Sequence, residues 1–414
     1  VITGKKGDVA WCPTGVYLNE RPNFTFDPLL HAGTYYVQEA SSMFVAHVLR
    51  QTVTGSVRML DLCAAPGGKS TACRTFLPEG SLLVSNEPVR TRANILSENM
   101  QKFGHPDVIV TNNYPRDFRK SGLMFDIILA DVPCSGEGMF RKDEGAISEW
   151  SVQNVENCRR LQREIVSDIW PCLKPDGLMI YSTCTFNAHE DEENAAWIAE
   201  ELGADFVEID VSPEWNITGP LVGDNPSYRF LPGTSEGEGL FMTVLRKHGQ
   251  HDTPAKASAN KKQNRKTDKA VSLPLTDSDD FETRERGDRL VAIPKEWADV
   301  YDAAAKSLNV IHAGITIGTR KGKDIVPDQS LALSTRLDRN RFASVDIDYT
   351  QAINYLRKEA VVLPSDMPRG YVMVTFRGHP LGFVKNVGNR ANNLYPQEWR
   401  IRSGSVPEQE EVLK

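Results

Sequence analysis

Residues 56–70 read SVRMLDLCAAPGGKS. A strand-type run, 56–62, passes directly into a turn of small residues, Cys63-Ala64-Ala65-Pro66-Gly67-Gly68-Lys69, and KSTACRTFL then takes up helical spacing. Strand, turn, helix in this order lets backbone amides at the helix start approach a ligand, and open α/β sheets hold nucleotides at such turns. Working outward, further β-type runs fall at 81–87, 107–113, 125–132 and 177–184. They are separated by the amphipathic stretches RTRANILSENMQKFG and VENCRRLQREIVSDIWPCL. In the second of these, Arg159 and Arg163 are expected opposite Leu161, Ile165 and Ile169. The alternation predicts βαβ units: a mostly parallel, Rossmann-like sheet with helices on both faces, class α/β.

Three ligands compete for the turn. A phosphate-cradling P-loop needs G-x-x-x-x-G-K-[ST]; Gly68-Lys69-Ser70 supplies its end, but residue 63 is Cys where the first glycine belongs. The dinucleotide pattern G-x-G-x-x-G is absent. An adenosyl cofactor has no pyrophosphate to cradle and needs only a close backbone turn and a carboxylate for its ribose. Glu87, ending the second strand, stands in place for that, so S-adenosylmethionine leads over a nucleoside triphosphate or a merely structural turn.

Two cysteines also end strands: Asp131-Val-Pro-Cys134-Ser-Gly closes the fourth and Ser182-Thr-Cys184-Thr the fifth. In a parallel sheet both thiols reach the carboxyl edge, where ligands bind. A lone cysteine is more often a small buried hydrophobe than a nucleophile, yet Pro133 and Gly136 bend the chain and hold Cys134 at the mouth. Methylation of pyrimidine carbon 5 wants a thiol beside a methyl donor. That carbon is not nucleophilic until a thiolate adds to C6; a base then removes the C5 proton and the thiol leaves. An acid such as Asp131 suits the ring N3.

CAAPGGKS, NE, DVPCSGEG and STCT, preceded by YYVQEASSM (35–43), resemble the NOL/NOP/Sun family of RNA cytosine-5 methyltransferases, in particular its bacterial ribosomal RNA branch. The resemblance runs from about His31 to about Lys247. It implies Cys184 as nucleophile, Cys134 as the helper in product release, and contact of S-adenosylmethionine with Cys63–Lys69, Glu87 and Asp131. Where many relatives carry Asp after the third strand this chain has Asn113, whose amide is expected to serve adenine. The resemblance also raises Gln38 and Ser41, at a helix start where serine is favoured for capping, to site neighbours. GHPLGFVKNVGNRANNLYP (378–396) resembles the PUA-like RNA-binding module of some bacterial members.

Composition sets the remaining bounds. The chain has 414 residues and net charge −7, which spans two or three domains, with no apolar run long enough for a membrane span. Seven cysteines without a C-x-x-C pair fit neither a disulfide scaffold nor a zinc ribbon; no metal is expected, and the compartment is read as cytoplasmic. Residues 187–240 hold 13 acidic residues against one basic, and are read as a solvated face, with EDEEN as a helix first turn. Basic excess falls instead at 244–270 and 311–402, so RNA remains an admissible partner. Arg141 and Lys142 after the Cys134 loop, and Lys385 and Arg390 among the C-terminal aromatics, are candidate phosphate contacts.

The expected layout is a remnant of an N-terminal RNA-binding segment (1–30), a methyltransferase domain (31–248), a basic linker (249–281) and a C-terminal α+β, PUA-like module (282–414), in a monomer. The leading function is S-adenosylmethionine-dependent RNA cytosine-5 methylation, ribosomal RNA favoured, the small subunit first. Alternatives are a tRNA or DNA cytosine methylase, a non-enzymatic ribosome-assembly factor, a redox pair of Cys134 and Cys184, and a thiol–imidazole hydrolase using His189.

Overall fold

The computed structural model describes residues 4–249, 272–322 and 324–404, together with 407, 410, 412 and 413. Most of the expected linker, 250–271, lies outside the described residues. An N-terminal hairpin pairs β1 (Lys5–Asp8) with β2 (Val16–Leu18). The central sheet then takes β3 (Arg58–Asp61), β4 (Leu82–Asn86), β5 (Val108–Thr111), β6 (Phe125–Asp131), β7 (Leu173–Thr183), β8 (Ala204–Phe206), β9 (Tyr228–Phe230) and β10 (Leu240–Lys247). Its order is β5-β4-β3-β6-β7-β10-β8, with β9 on β10; the first five strands are parallel and β10 runs against β7.

The near-continuous apolar strands follow from burial on two faces. Met59, Leu83, Ile127 and Leu129 enter one core with Phe44, Val45 and Leu49, while Leu60, Val84, Ile109 and Ile128 enter the other with Val166 and Ile169. Each such aliphatic side chain stabilises by roughly 1.5–3 kcal/mol. The helix Val152–Ile169 buries Val155, Gln162, Val166 and Ile169. Leu161, expected on that inner face, is 42% exposed. Gln162 takes the inner place because it has hydrogen-bond partners there, described below.

The stretch expected as one C-terminal module carries two separate sheets. The first is β11 (Phe281–Arg286), β12 (Arg289–Pro294), β14 (Ile315–Lys321) and β15 (Asp324–Pro327); between them, β13 (Val310–Ala313) leaves to pair antiparallel with the free edge of β5. Val291, Ile293, Tyr301, Ala304, Leu308 and Val310 share a core with β3, β4 and β6. A four-residue strand leaves too short a pattern in the sequence to announce that pairing. The second sheet orders β16 (Ala343–Asp346), β17 (Gly370–Phe376), β18 (His379–Asn386) and β19 (Ala391–Asn393), with the expected tight turn between β17 and β18.

Residues near the N-terminus pack on this last unit. Phe26 is buried with Ile353, Tyr355, Val374 and Tyr395, and the Tyr349 hydroxyl donates to the Phe26 carbonyl at 3.0 Å. Burial drives the His31 pKa down to about 3, its ring lying 2.9 Å from the Thr25 carbonyl and 3.3 Å from the Tyr395 hydroxyl. Among the described residues no helix is long and apolar enough to cross a membrane.

Because Leu308 sits in the core of the central sheet, Leu308→Ala should cost about 2–5 kcal/mol. Its effect should fall on the melting transition that also reports β3–β7. A shift confined to a separate C-terminal transition, seen by differential scanning calorimetry, would contradict the shared core.

Candidate active site

The chain runs β3, β4, β5 outward to one side, then returns to place β6 on the other side of β3. That reversal opens a crevice at the carboxyl ends. Into it project the turn after β3, Glu87 after β4, Asp131 at the end of β6, and Cys134 and Cys184 beyond β6 and β7.

The turn is tied down rather than loose. Ala64 N–H donates to the Asn86 carbonyl at 2.8 Å, Arg92 to the Ala65 carbonyl at 2.9 Å and Asn99 to the Pro66 carbonyl at 2.8 Å. The Ala65–Pro66 bond is cis, and Gly67 adopts φ 117°, a conformation open to glycine. A Cβ on Gly68 would stand 3.0 Å from Gln38 Oε1, which places Gln38 against this turn. Beneath it, Ser70 donates to Asp61 Oδ2 at 2.7 Å and lies 2.9 Å from Ser85 Oγ. Burial pushes the Asp61 pKa up to about 7 against the Ser70 hydrogen bond, with Asp131 adding to the rise. Burial likewise pushes the Cys63 thiol up, out of the reactive range.

Asp131 is held from both sides. Ser182, its register partner on β7, donates to Oδ1 at 2.7 Å, and Lys69 Nζ donates to Oδ2 at 2.8 Å. Burial works against the Lys69 ammonium, yet Asp131 outweighs it and holds the pKa above the ordinary value. The two expected sulfurs meet: Cys134 Sγ lies 3.1 Å from Cys184 Sγ, both unbridged and part-exposed. The hydrogen bond from Cys134 draws the Cys184 thiol below its ordinary pKa, against burial and Asp131 and with help from Lys69. The same bond, with burial, raises Cys134. The contact therefore polarises the pair in opposite directions, Cys184 towards the thiolate and Cys134 towards the protonated thiol.

Glu87 is buried; Oε1 accepts the Val89 N–H at 2.9 Å, while Oε2 has no hydrogen-bond partner and only Arg92 at 3.5 Å. An orphaned buried carboxylate oxygen in this crevice fits a pair of ribose hydroxyls. Asn113 is less free than the sequence suggested: its Oδ1 accepts the Asn309 N–H at 3.0 Å, next to β13.

Other expected residues fall differently. Ser41 is fully buried, its hydroxyl and N–H both bound by Glu39. Arg141 and Lys142 lie 4.0 and 3.8 Å from Glu238, at a cleft of about 1500 Å³ also lined by Tyr17, Tyr36 and Gln38. Lys385 lies over the Tyr371 ring at 5.3 Å, and Arg390 is exposed. His189 pairs with Glu193 at 2.9 Å, so it forms no dyad with Cys184. The acidic stretch is only partly a solvated face: Glu190, Asp191 and Glu192 are buried, and the fully buried Arg229 bridges Asp191 at 3.0 Å and Glu192 at 2.5 Å. Buried charges persist where they are paired, and Arg229 lies far enough along the chain to escape a local reading. Asp61 was the other residue overlooked, although an acid inside the apolar run SVRMLDL was a signal.

A parallel sheet with a crevice at its strand reversal, carrying an orphaned buried carboxylate oxygen, is the architecture of an S-adenosylmethionine-dependent methyltransferase, and Cys63–Lys69, Glu87 and Asp131 are the residues that would hold the cofactor. The family profile "16S rRNA methyltransferase RsmB/F" matches residues 50–246, the RsmF N-terminal domain matches 3–40 and the methyltransferase RsmF PUA domain matches 342–401. The chain belongs to this family. It is 30% identical to ribosomal RNA small subunit methyltransferase F of Serratia proteamaculans, over 96% of this chain and 85% of that one, and 28% identical to that of Photobacterium profundum, over 94% and 84%. A crystal structure of a methyltransferase homolog protein from Pyrococcus horikoshii shares the fold at TM-score 0.50 and 24% identity, covering 58% of this chain and 77% of that chain.

Asp61 yields a pH signature. With its pKa near 7 in the folded state against an ordinary 3.8, the folded protein keeps a proton that the unfolded chain gives up, so this residue's contribution to stability is lost as pH rises from about 4 to about 7. Asp61→Asn should flatten that fall in urea unfolding across the window. An unchanged slope would place the proton elsewhere.

Proposed function

We propose that this chain methylates carbon 5 of a cytosine in ribosomal RNA, small-subunit RNA first, by covalent catalysis from Cys184. The observation that carries the reading is the 3.1 Å approach of Cys134 and Cys184 beside the Lys69–Asp131 pair, at the carboxyl edge of the sheet. The Cys184 thiolate adds to C6, and the C5–C6 π electrons pass into the ring, stabilised by a proton held at N3 next to Asp131. S-adenosylmethionine, when bound, supplies the methyl group to carbon 5. Release requires the C5 proton to pass to a base, water in the open crevice, while the C6–S bond breaks, restoring the ring and returning the thiolate; the Cys134 thiol assists by donating a hydrogen bond to the departing Cys184 sulfur. Both cysteines, Lys69 and Asp131 are in place, which supports a working enzyme over an assembly factor with a vestigial site.

RNA contact is assigned to the last unit, where Lys385 lies over the Tyr371 ring and Arg390 is exposed in the turn between β18 and β19. At the cleft, a phosphate has to take Arg141 and Lys142 from Glu238, a fair exchange because both ion pairs are long and half-exposed.

Two outcomes test this. Cys184→Ala should abolish methyl transfer and any covalent adduct, whereas Cys134→Ala should let a protein–RNA adduct accumulate and survive denaturing electrophoresis; full activity in both variants would make the cysteines structural. Separately, Lys385→Ala and Arg390→Ala should each lower the slope of log affinity against log salt by about 0.7 if they neutralise single-strand phosphates. An unchanged slope in filter binding would remove this unit from the RNA interface.

A further inference from the structure

The two sulfurs meet although their loops come from different strands, and the atoms that hold them together are buried. Glu190, six residues beyond Cys184, is fully buried. Its Oε2 accepts the Ser135 N–H at 3.0 Å, the residue directly after Cys134, and the Gln162 amide at 2.7 Å; its Oε1 accepts the Asn187 amide at 2.8 Å. Gln162 in turn donates to the Pro133 carbonyl at 2.9 Å, the residue directly before Cys134. Glu190 therefore reaches both flanks of Cys134, one directly and one through Gln162. Three further links join the loops: Gly138 N–H to the Cys184 carbonyl at 2.8 Å, Phe186 N–H to Glu137 at 2.7 Å, and Ser135 Oγ to Thr185 Oγ1 at 2.9 Å.

We propose that Glu190 is a positioning residue that acts through Cys134, keeping its thiol seated against Cys184. The proposal rests on the reading of Cys184 as nucleophile. A carboxylate suits the place: it accepts on both oxygens at once, and three donors converge on it. The isosteric glutamine of Glu190→Gln turns one of those acceptors into a second donor, so one contact is lost and the loop carrying Cys134 is freed. Once Cys134 drifts, Cys184 loses the donor that stabilises its thiolate. Shifts of an ångström at such a contact are enough to change rates severalfold to a hundredfold.

The charged and titratable groups facing Cys184 are Cys134, Asp131 and Lys69, and those facing Cys134 are Cys184 and Glu190. Alkylation by iodoacetamide, followed by peptide mass spectrometry across a pH series on the full chain without RNA, reads each thiol separately. In Glu190→Gln the Cys184 midpoint should rise by about one pH unit, with alkylation at pH values below both midpoints slowed about tenfold. Glu190→Asp, which keeps the charge but falls short of Ser135, should move it in the same direction by less, and serves if the first variant does not fold. In a Cys134→Ala background Glu190→Gln should add nothing, because its route to Cys184 has been removed. An unchanged midpoint in either folded variant, or a full further shift in the Cys134→Ala background, overturns the proposal. Methylation of RNA that survives Cys184→Ala would instead sink the nucleophile reading, which the alkylation does not measure.

Discussion

Everything at the active edge depends on the parallel pairing of β6 between β3 and β7. With Asp61 opposite Leu129 and Asp131 opposite Ser182, the three strands end together, and the residues after them have no choice but to share one crevice. Ser182 then meets Asp131, Lys69 reaches across from the turn after β3, and the segments that follow β6 and β7 bring their sulfurs into contact. A slip of one residue in β6 would turn Asp131 into the opposite face. The two cores disfavour it, since the slip would carry Ile127 and Leu129 into the core now packed around Ile128 and Ala130, and the reverse, with neither shaped for the exchange.

Behind the edge lies a layer of buried charge. Arg229, Asp191 and Glu192 pair in the interior, and Thr183 donates to Asp191 at 2.6 Å while Arg229 donates to the Phe186 carbonyl at 3.0 Å. These groups bracket Cys184 on both sides in sequence. Desolvating them costs energy that apolar residues would not incur, and the return is a loop that holds the backbone on either side of Cys184.

The sequence announced what is local. Continuous apolar runs marked the central strands, the small-residue turn marked the crevice at the strand reversal, and Cys134 and Cys184 could be placed at strand ends by counting. It did not announce what is settled by partners far away. EDEEN looks like any solvated helix start until Arg229, nearly forty residues on, is seen to neutralise it. Gln162 looks like a surface residue because its justification, Pro133 and Glu190, lies in two other segments. Ser41 fits a helix cap as well as a site, yet it is the Glu39 carboxylate that accepts the N–H groups of Ser41 and Ser42, and the Ser41 hydroxyl donates to it. The short strand Val310–Ala313 was invisible for the same reason, and with it the fact that residues between Val291 and Ala313 pack into the core of the central sheet. Asn113 shares that fate, because the partner of its Oδ1 lies beside that strand.

The central claim is that Cys184 bonds to C6 of a cytosine. Ribosomal RNA carrying 5-fluorocytosine offers the direct measurement, because the fluorine at C5 cannot be removed as a proton and the adduct stays closed. Incubation with S-adenosylmethionine followed by peptide mass spectrometry should find the nucleotide attached to the peptide holding Cys184. Attachment at Cys134, or no adduct on an RNA that is otherwise methylated, would contradict the account.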